Sequence, residues 1–166
     1  MKGRARFIGA AIAVALSGTV LLSGTTLADH GGKPYRLLLS GANEFSPTGV
    51  PINPHGDADR GSITLRLNPG QERVCWSVGE LTLTSGEALP HVAHIHLAPP
   101  GIAGPVVIDL FGGSAAVPAP TSYPTGTSCV PAPREGILAV IRNPEAYYVN
   151  LHNAQHPGGV VRAQLG

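Results

Sequence analysis

Three histidines occupy positions from which their side chains can meet. His94 and His96 lie two residues apart in one apolar segment, and His152 ends another such segment, Tyr147–His152. Alternate side chains of an extended strand share a face, so His94 and His96 point to one side of the first strand. If the two segments are neighbouring strands, three imidazoles converge on one point.

Converging neutral imidazoles bind transition metals, at metal–nitrogen distances of about 2 Å. A ligand set of nitrogen without thiolate suits Cu(II), Zn(II) or Ni(II), and we expect copper first and zinc second. The other interpretation is a buried hydrogen-bond network, in which the histidines join Tyr148, Asn150 and Arg162 and set the strand register. His156 and His91 are candidates to complete a metal site, although alternation places His91 on the opposite face of its strand.

Arg162 has two interpretations of its own. Beside a bound copper ion, its guanidinium would attract an anion such as superoxide. Alternatively, Arg162 forms a salt bridge with a carboxylate, for which the candidates are Glu44, Asp109 and Glu135. We favour the salt bridge.

The first 28 residues have the pattern of a secretory signal peptide. Basic residues precede an apolar run, and Thr26-Leu27-Ala28 offers a small-residue cleavage site. The apolar run is too short to span a membrane comfortably. We therefore predict a signal peptide over 1–28 and a single domain over 29–166, secreted or periplasmic, with no membrane span after cleavage.

Without this leader the chain is slightly acidic. Three of the 11 basic residues lie in the first six positions, which leaves a net charge of −2 with neutral histidines. Nucleic acid and anionic lipid need a basic surface, so both are excluded as partners. The expected partner is an unidentified molecule outside the cell or at its surface.

Cys75 and Cys129 are the only cysteines of the chain. An even pair in an exported protein predicts a disulfide. The alternative is two free or redox-active thiols, but the pair lacks the C-x-x-C spacing that would favour it.

The remaining sequence is divided by 22 glycines and 16 prolines into short segments with strand character. About eight or nine such strands predict an all-β fold, an antiparallel β-sandwich or barrel. The predicted strands are Tyr35–Gly41, Gly61–Asn68, Arg73–Val78, Leu81–Thr84, His91–Leu97, Pro105–Phe111, Gly136–Arg142, Tyr147–His152 and Val160–Leu165. We also predict a helical turn at Asn143–Ala146 and two long loops, Ser46–Arg60 and Gly112–Pro133.

Several motifs follow one another along the chain: Leu39-Ser40-Gly41-Ala42-Asn43-Glu44, Gly61-Ser62-Ile63-Thr64-Leu65, Ala93-His94-Ile95-His96, Gly104-Pro105-Val106-Val107, Asn143-Pro144 with Tyr147-Tyr148-Val149-Asn150-Leu151-His152, and Gly159-Val160-Val161-Arg162-Ala163-Gln164-Leu165. In this order they resemble the motifs of the CHRD domain. The resemblance covers residues 36–165 and implies an extracellular β module. The chain departs from the family pattern at Val160 and Ala163, where the family has Glu and Gly, and at Leu97, where a glycine is common.

A weaker likeness is to copper–zinc superoxide dismutase, a β-sandwich with an H-x-H strand and a late strand ending in a copper-ligating histidine. It implies an immunoglobulin-like or dismutase-like sandwich, but a zinc-ligand series does not follow His96. Hydrolase signatures are missing from the sequence. We expect a non-enzymatic binding or structural module, and the alternative is a copper carrier or dismutase-like oxidoreductase that uses His94, His96 and His152.

Overall fold

A computed structural model describes residues 31–52, 58–111 and 126–166, and the predicted signal peptide lies outside them. The described residues form one antiparallel sheet of eight strands that is nearly closed into a barrel. The strands are β1 (Lys33–Ser40), β2 (Arg60–Asn68), β3 (Arg73–Thr82), β4 (Val92–Leu97), β5 (Val106–Asp109), β6 (Ser128–Pro131), β7 (Tyr147–His152) and β8 (Val161–Gln164). Their order in the sheet is β5-β4-β7-β8-β1-β2-β3-β6. The all-β prediction is confirmed.

The hydrophobic core follows from the alternation of apolar and polar residues along the strands. Ile63, Leu65 and Leu67 of β2 all point inward, as the sequence pattern predicts. The corresponding inward residues of the two strands that carry the histidines are Ala93 and Ile95 in β4, and Val149 and Leu151 in β7; all four are fully buried. The opposite face of these two strands carries Val92 together with the polar or aromatic side chains of His94, His96, Tyr148, Asn150 and His152.

One predicted strand is wrong. Residues 136–142 belong to an α-helix, α1 (Arg134–Arg142), rather than to a strand. Ile137 and Val140 are spaced three apart and are buried together, while Glu135 and Arg142 lie in the first and last turns, where their charges suit the helix dipole. A short apolar run is compatible with the two-residue period of a strand and with the 3.6-residue period of a helix. Here the helical conformation is the one that buries Ile137 and Val140 together.

The helical turn after α1 is confirmed as a 3-10 helix over Pro144–Ala146, and a second 3-10 helix spans Gly41–Asn43. Within the described ranges, no helix combines the length and the apolar character needed to cross a membrane.

The predicted strands Arg73–Val78 and Leu81–Thr84 are a single strand, β3, which pairs with β2 across a bulge near Gly61. Part of the predicted loop Gly112–Pro133 is also a strand: β6 pairs with β3 at the edge of the sheet. Cys129 of β6 stands directly opposite Cys75 of β3, and the two form the predicted disulfide.

Replacing both cysteines with alanine removes the disulfide, which links positions that are 54 residues apart in sequence. We expect Cys75→Ala/Cys129→Ala to lower the free energy of unfolding by about 4 kcal/mol, because the unfolded chain regains the freedom that the link removes. Urea unfolding under oxidising conditions measures the loss. Ser77→Ala in the same strand is the control, and equal unfolding midpoints for the wild-type and double-alanine proteins would contradict the expectation.

Candidate metal centre

The pairing of β4 with β7 brings the histidines together. The two strands are antiparallel, with Val92 opposite His152, His94 opposite Asn150 and His96 opposite Tyr148. His94 and His152 are therefore diagonal neighbours on the face that points away from the core. The histidines are expected to converge only if their two strands are neighbours, and in the structure β4 and β7 are neighbours.

The three imidazoles lie close enough to share one ion. One ring nitrogen from each of His94, His96 and His152 lies within 4.8 Å of the other two. Nδ1 of His94 and Nε2 of His152 are 3.3 Å apart. Two nitrogens bound tetrahedrally at about 2.0 Å from one ion are separated by about 3.3 Å. The His94–His152 pair has this separation, and the pairs that include His96 lie within 4.8 Å.

Backbone carbonyls determine which nitrogens face the centre. Nδ1 of His96 donates to the carbonyl oxygen of Gly104 at 2.9 Å, and Nδ1 of His152 donates to that of Pro157 at 3.0 Å. A carbonyl only accepts, so Nδ1 carries the proton in both rings. The Nε2 of His96 therefore has a free lone pair, whereas the Nε2 of His152 accepts a hydrogen bond from Nδ1 of His94 at 3.3 Å. Metal-binding histidines commonly have such a carbonyl behind them.

Gly104 can accept from His96 because it lacks a side chain. A Cβ at this position would overlap the carbonyl oxygen of Leu97. The same residue donates its N–H to the hydroxyl of Tyr148 at 3.1 Å, and the ring of Tyr148 is stacked on that of His96 at 4.7 Å between centroids. The backbone N–H and the carbonyl of Gly104 thus both bond to residues of the histidine cluster.

The histidines are kept neutral by their surroundings. Burial, followed by the nearby His94, lowers the pKa of His152 to about 4. Burial also lowers the pKa of His94, against the opposing effect of Asp109, and it lowers the pKa of His96. Neutral imidazole is the form that binds metals, so the set is prepared for coordination at neutral pH.

Arg162 does not form the salt bridge that the sequence favours. Its guanidinium, in a side chain 2 % exposed, donates to the carbonyls of Ile102 (2.9 Å) and Pro99 (3.0 Å) and to Gln164 Oε1 (3.2 Å). It also lies over the ring of Tyr148, 3.4 Å from the centroid. Two of its acceptors are thus backbone carbonyls of a loop, and not the carboxylates of Glu44, Asp109 or Glu135 that the sequence suggests.

Glu44 is buried in the structure, which its sequence context does not predict. Its side chain is 1 % exposed and accepts from Nδ2 of Asn150 at 3.0 Å, while its Oε1 has no partner. Burial raises the pKa of Glu44 to about 8, although the charge of Arg162 opposes the shift. The sequence feature that accompanies the burial of Glu44 is the glycine at position 159, because a Cβ there would overlap the Glu44 carboxyl.

The other two candidate histidines lie outside the three-histidine set. His156 pairs through Nε2 with Glu87 at 2.9 Å. The backbone N–H of His91 donates to the carbonyl of His152 at 3.0 Å, and its Nδ1 is buried without a partner. His156 thus contacts Glu87, and His91 contacts His152 through its backbone, and neither side chain belongs to the three-histidine set.

The sequence pattern of the CHRD domain family matches residues 35–165. This range is close to the one over which the sequence motifs predict it. No curated protein and no solved structure matches the chain. The match supports the β fold, while the histidine centre rests on the geometry described above.

Glu44 leads to a prediction about stability and pH. Its pKa is about 8 in the folded protein against an ordinary value of 4.5, so the folded state holds a proton that the unfolded chain loses. Its contribution to stability is complete below pH 4.5 and falls as pH rises to 8, by up to about 1.4 kcal/mol per pH unit. Glu44→Gln removes this dependence, so its stability relative to the wild type should increase with pH.

Urea unfolding at pH 5, 6, 7 and 8 compares wild type, Glu44→Gln and Glu80→Gln. Glu80 is exposed in β3 and serves as the matched control, whose profile should follow the wild type. Parallel profiles for wild type and Glu44→Gln would show that Glu44 is ionised in the folded protein.

Proposed function

Because this chain belongs to the CHRD domain family and gathers three histidines on one face of its sheet, we propose that it is an exported β module that binds one transition-metal ion. His94, His96 and His152 would hold the ion. They would do so through Nδ1 of His94 and the Nε2 atoms of the other two.

One observation carries this proposal: Nε2 of His96 is buried and has no hydrogen-bond partner. A buried polar atom without a partner costs free energy, and native structures seldom keep one without a use. A hydrogen-bond network confined to the side chains leaves this lone pair unsatisfied. An ion shared with His94 and His152 satisfies it, and so the metal is the better account.

Copper is the first candidate and zinc the second. The ligand set has nitrogen atoms alone, and imidazole suits Cu(II) and Zn(II). Three protein ligands leave a position for a ligand from solution, as in sites where the metal exchanges or reacts. Bound copper would supply one-electron chemistry or serve as cargo for transfer.

We propose binding or transport of the metal ahead of dismutase-like catalysis. Catalysis on superoxide would benefit from an exposed positive charge beside the metal. Arg162 is buried, and its donors are committed to Pro99, Ile102 and Gln164. Its charge is therefore poorly placed to attract an anion from solution.

Export is supported by three features. CHRD domains are commonly extracellular. The Cys75–Cys129 disulfide suits an oxidising compartment, and residues 1–28 have the pattern of a signal peptide.

A binding module without metal is the second candidate. β5 is an edge strand, and Val106 and Val107 on it are 48 % and 38 % exposed. Edge strands with exposed apolar residues can accept a strand from a partner. In that case the histidines would be structural, and His152→Ala would lower stability without affecting a ligand.

Metal binding is tested by titrating the purified protein with Cu(II) or Zn(II), desalting it, and measuring the bound metal. We expect one equivalent of copper and a paramagnetic resonance signal with nitrogen coupling. His96→Ala and His152→Ala should each lower the affinity by more than about 100-fold, because a ligand lost costs more than an outer contact. At a free metal concentration of 100 times Kd, binding should stabilise the wild type by about 2.7 kcal/mol.

His156→Gln is the control, since it removes an imidazole outside the set and retains a group that can bond to Glu87. It should bind copper as the wild type does. Two results would refute the proposal and favour the second candidate. One is a wild-type protein that retains no metal, and the other is a His152→Ala variant that binds copper as tightly as the wild type.

A further inference from the structure

Residues 98–105 connect β4 to β5. Side chains from three strands hold residues 98–104 of this connection, here called the 98–104 loop. Gln164 of β8 donates through Nε2 to the carbonyl of Ala98 at 2.9 Å. Arg162 of β8 donates to the carbonyls of Pro99 and Ile102, and the end of the loop, Gly104, bonds to residues of β7 and β4. Loops more often satisfy their carbonyls with water.

Arg162 is the unusual member of this arrangement. It is 2 % exposed, and its bonds go to neutral acceptors. A buried guanidinium is expensive unless its donors and its charge are compensated. Its planar fork reaches two carbonyls three residues apart while its face covers the ring of Tyr148, and this is a geometry that lysine cannot reproduce.

The loop connects Arg162 to the candidate metal ligand His96 by two routes. The first runs through the loop backbone to the carbonyl of Gly104, which fixes the proton on Nδ1 of His96. The second runs through Tyr148, which lies between β4 and β8 in the sheet and stacks on the ring of His96. Both routes end on the same imidazole.

We propose that Arg162 and Gln164 are positioning residues for the metal centre, acting through the 98–104 loop and Tyr148 on His96. The inference rests on the proposed function. With the loop in place, His96 presents an unprotonated Nε2 to the other two histidines. With the loop displaced, the Gly104 carbonyl no longer selects this tautomer, and the proton can move to Nε2 and occupy the lone pair that the metal needs.

The experiment compares wild type, Arg162→Lys and Gln164→Ala in two measurements. Long-range proton–nitrogen spectra of the metal-free protein report the tautomer of each histidine, and titration with Cu(II) gives the affinity. Gln164 is only partly buried, so its variant keeps the test available if Arg162→Lys folds poorly. Ile137→Val, in the helix that packs against β2 and β3, is the control for a loss of stability without contact with the loop.

We expect His96 to be protonated on Nδ1 alone in the wild type and to become a mixture of tautomers in both loop variants. Copper affinity should fall by about 10- to 100-fold, as is typical for loss of an outer-shell partner. His152 receives its carbonyl from Pro157 in a different turn, so its tautomer should not change. Ile137→Val should leave both measurements as in the wild type.

The inference is overturned if both loop variants keep the Nδ1 tautomer of His96 and bind copper within twofold of the wild type. That result would leave the proposed function standing, since the wild type would still bind. Wild-type protein that binds no metal would instead refute the proposed function. The tautomer of His96 in the variants would then still decide whether the loop positions this ring.

Discussion

The antiparallel register between β4 and β7 is the constraint on which the candidate centre depends. It sets Val92 against His152, His94 against Asn150 and His96 against Tyr148. Because side chains alternate, the same register that buries Ala93 and Leu151 in the core turns the histidines to the opposite face. A slip of one residue would exchange the two faces and expose the core. The free-energy cost of that exposure therefore also fixes the arrangement of the histidines.

The sheet is therefore covered on both sides around these strands, by a hydrophobic core on one and by polar contacts on the other. Carbonyls of the 98–104 loop satisfy Arg162, Gln164 and His96, and Asn150 bonds to the buried Glu44. Such a polar layer has little hydrophobic gain to offset its desolvation, so its members must bond to one another in fixed positions. His96, which bonds to the Gly104 carbonyl, is one of the members held in this way.

Strand alternation and the shared face of the histidines were predictable, because both follow from a period of two residues. The helix Arg134–Arg142 was not, since a short apolar run fits both periods. The acceptors of Arg162 could not be predicted either, because they are backbone carbonyls. Every residue has one, so the sequence does not indicate which carbonyl accepts. The burial of Glu44 depends on a contact with Asn150 across more than a hundred residues, which local patterns do not encode.

The three ligands differ in depth, and this difference has a kinetic meaning. His96 is buried and is held by the 98–104 loop, whereas His94 is only partly buried. If the three histidines hold an ion as proposed, the ion would face solvent on the side of His94 and would be anchored on the side of His96. In that case His94 would be the ligand that exchanges most readily with water, and the domain could take up or give up the ion while its core stays folded.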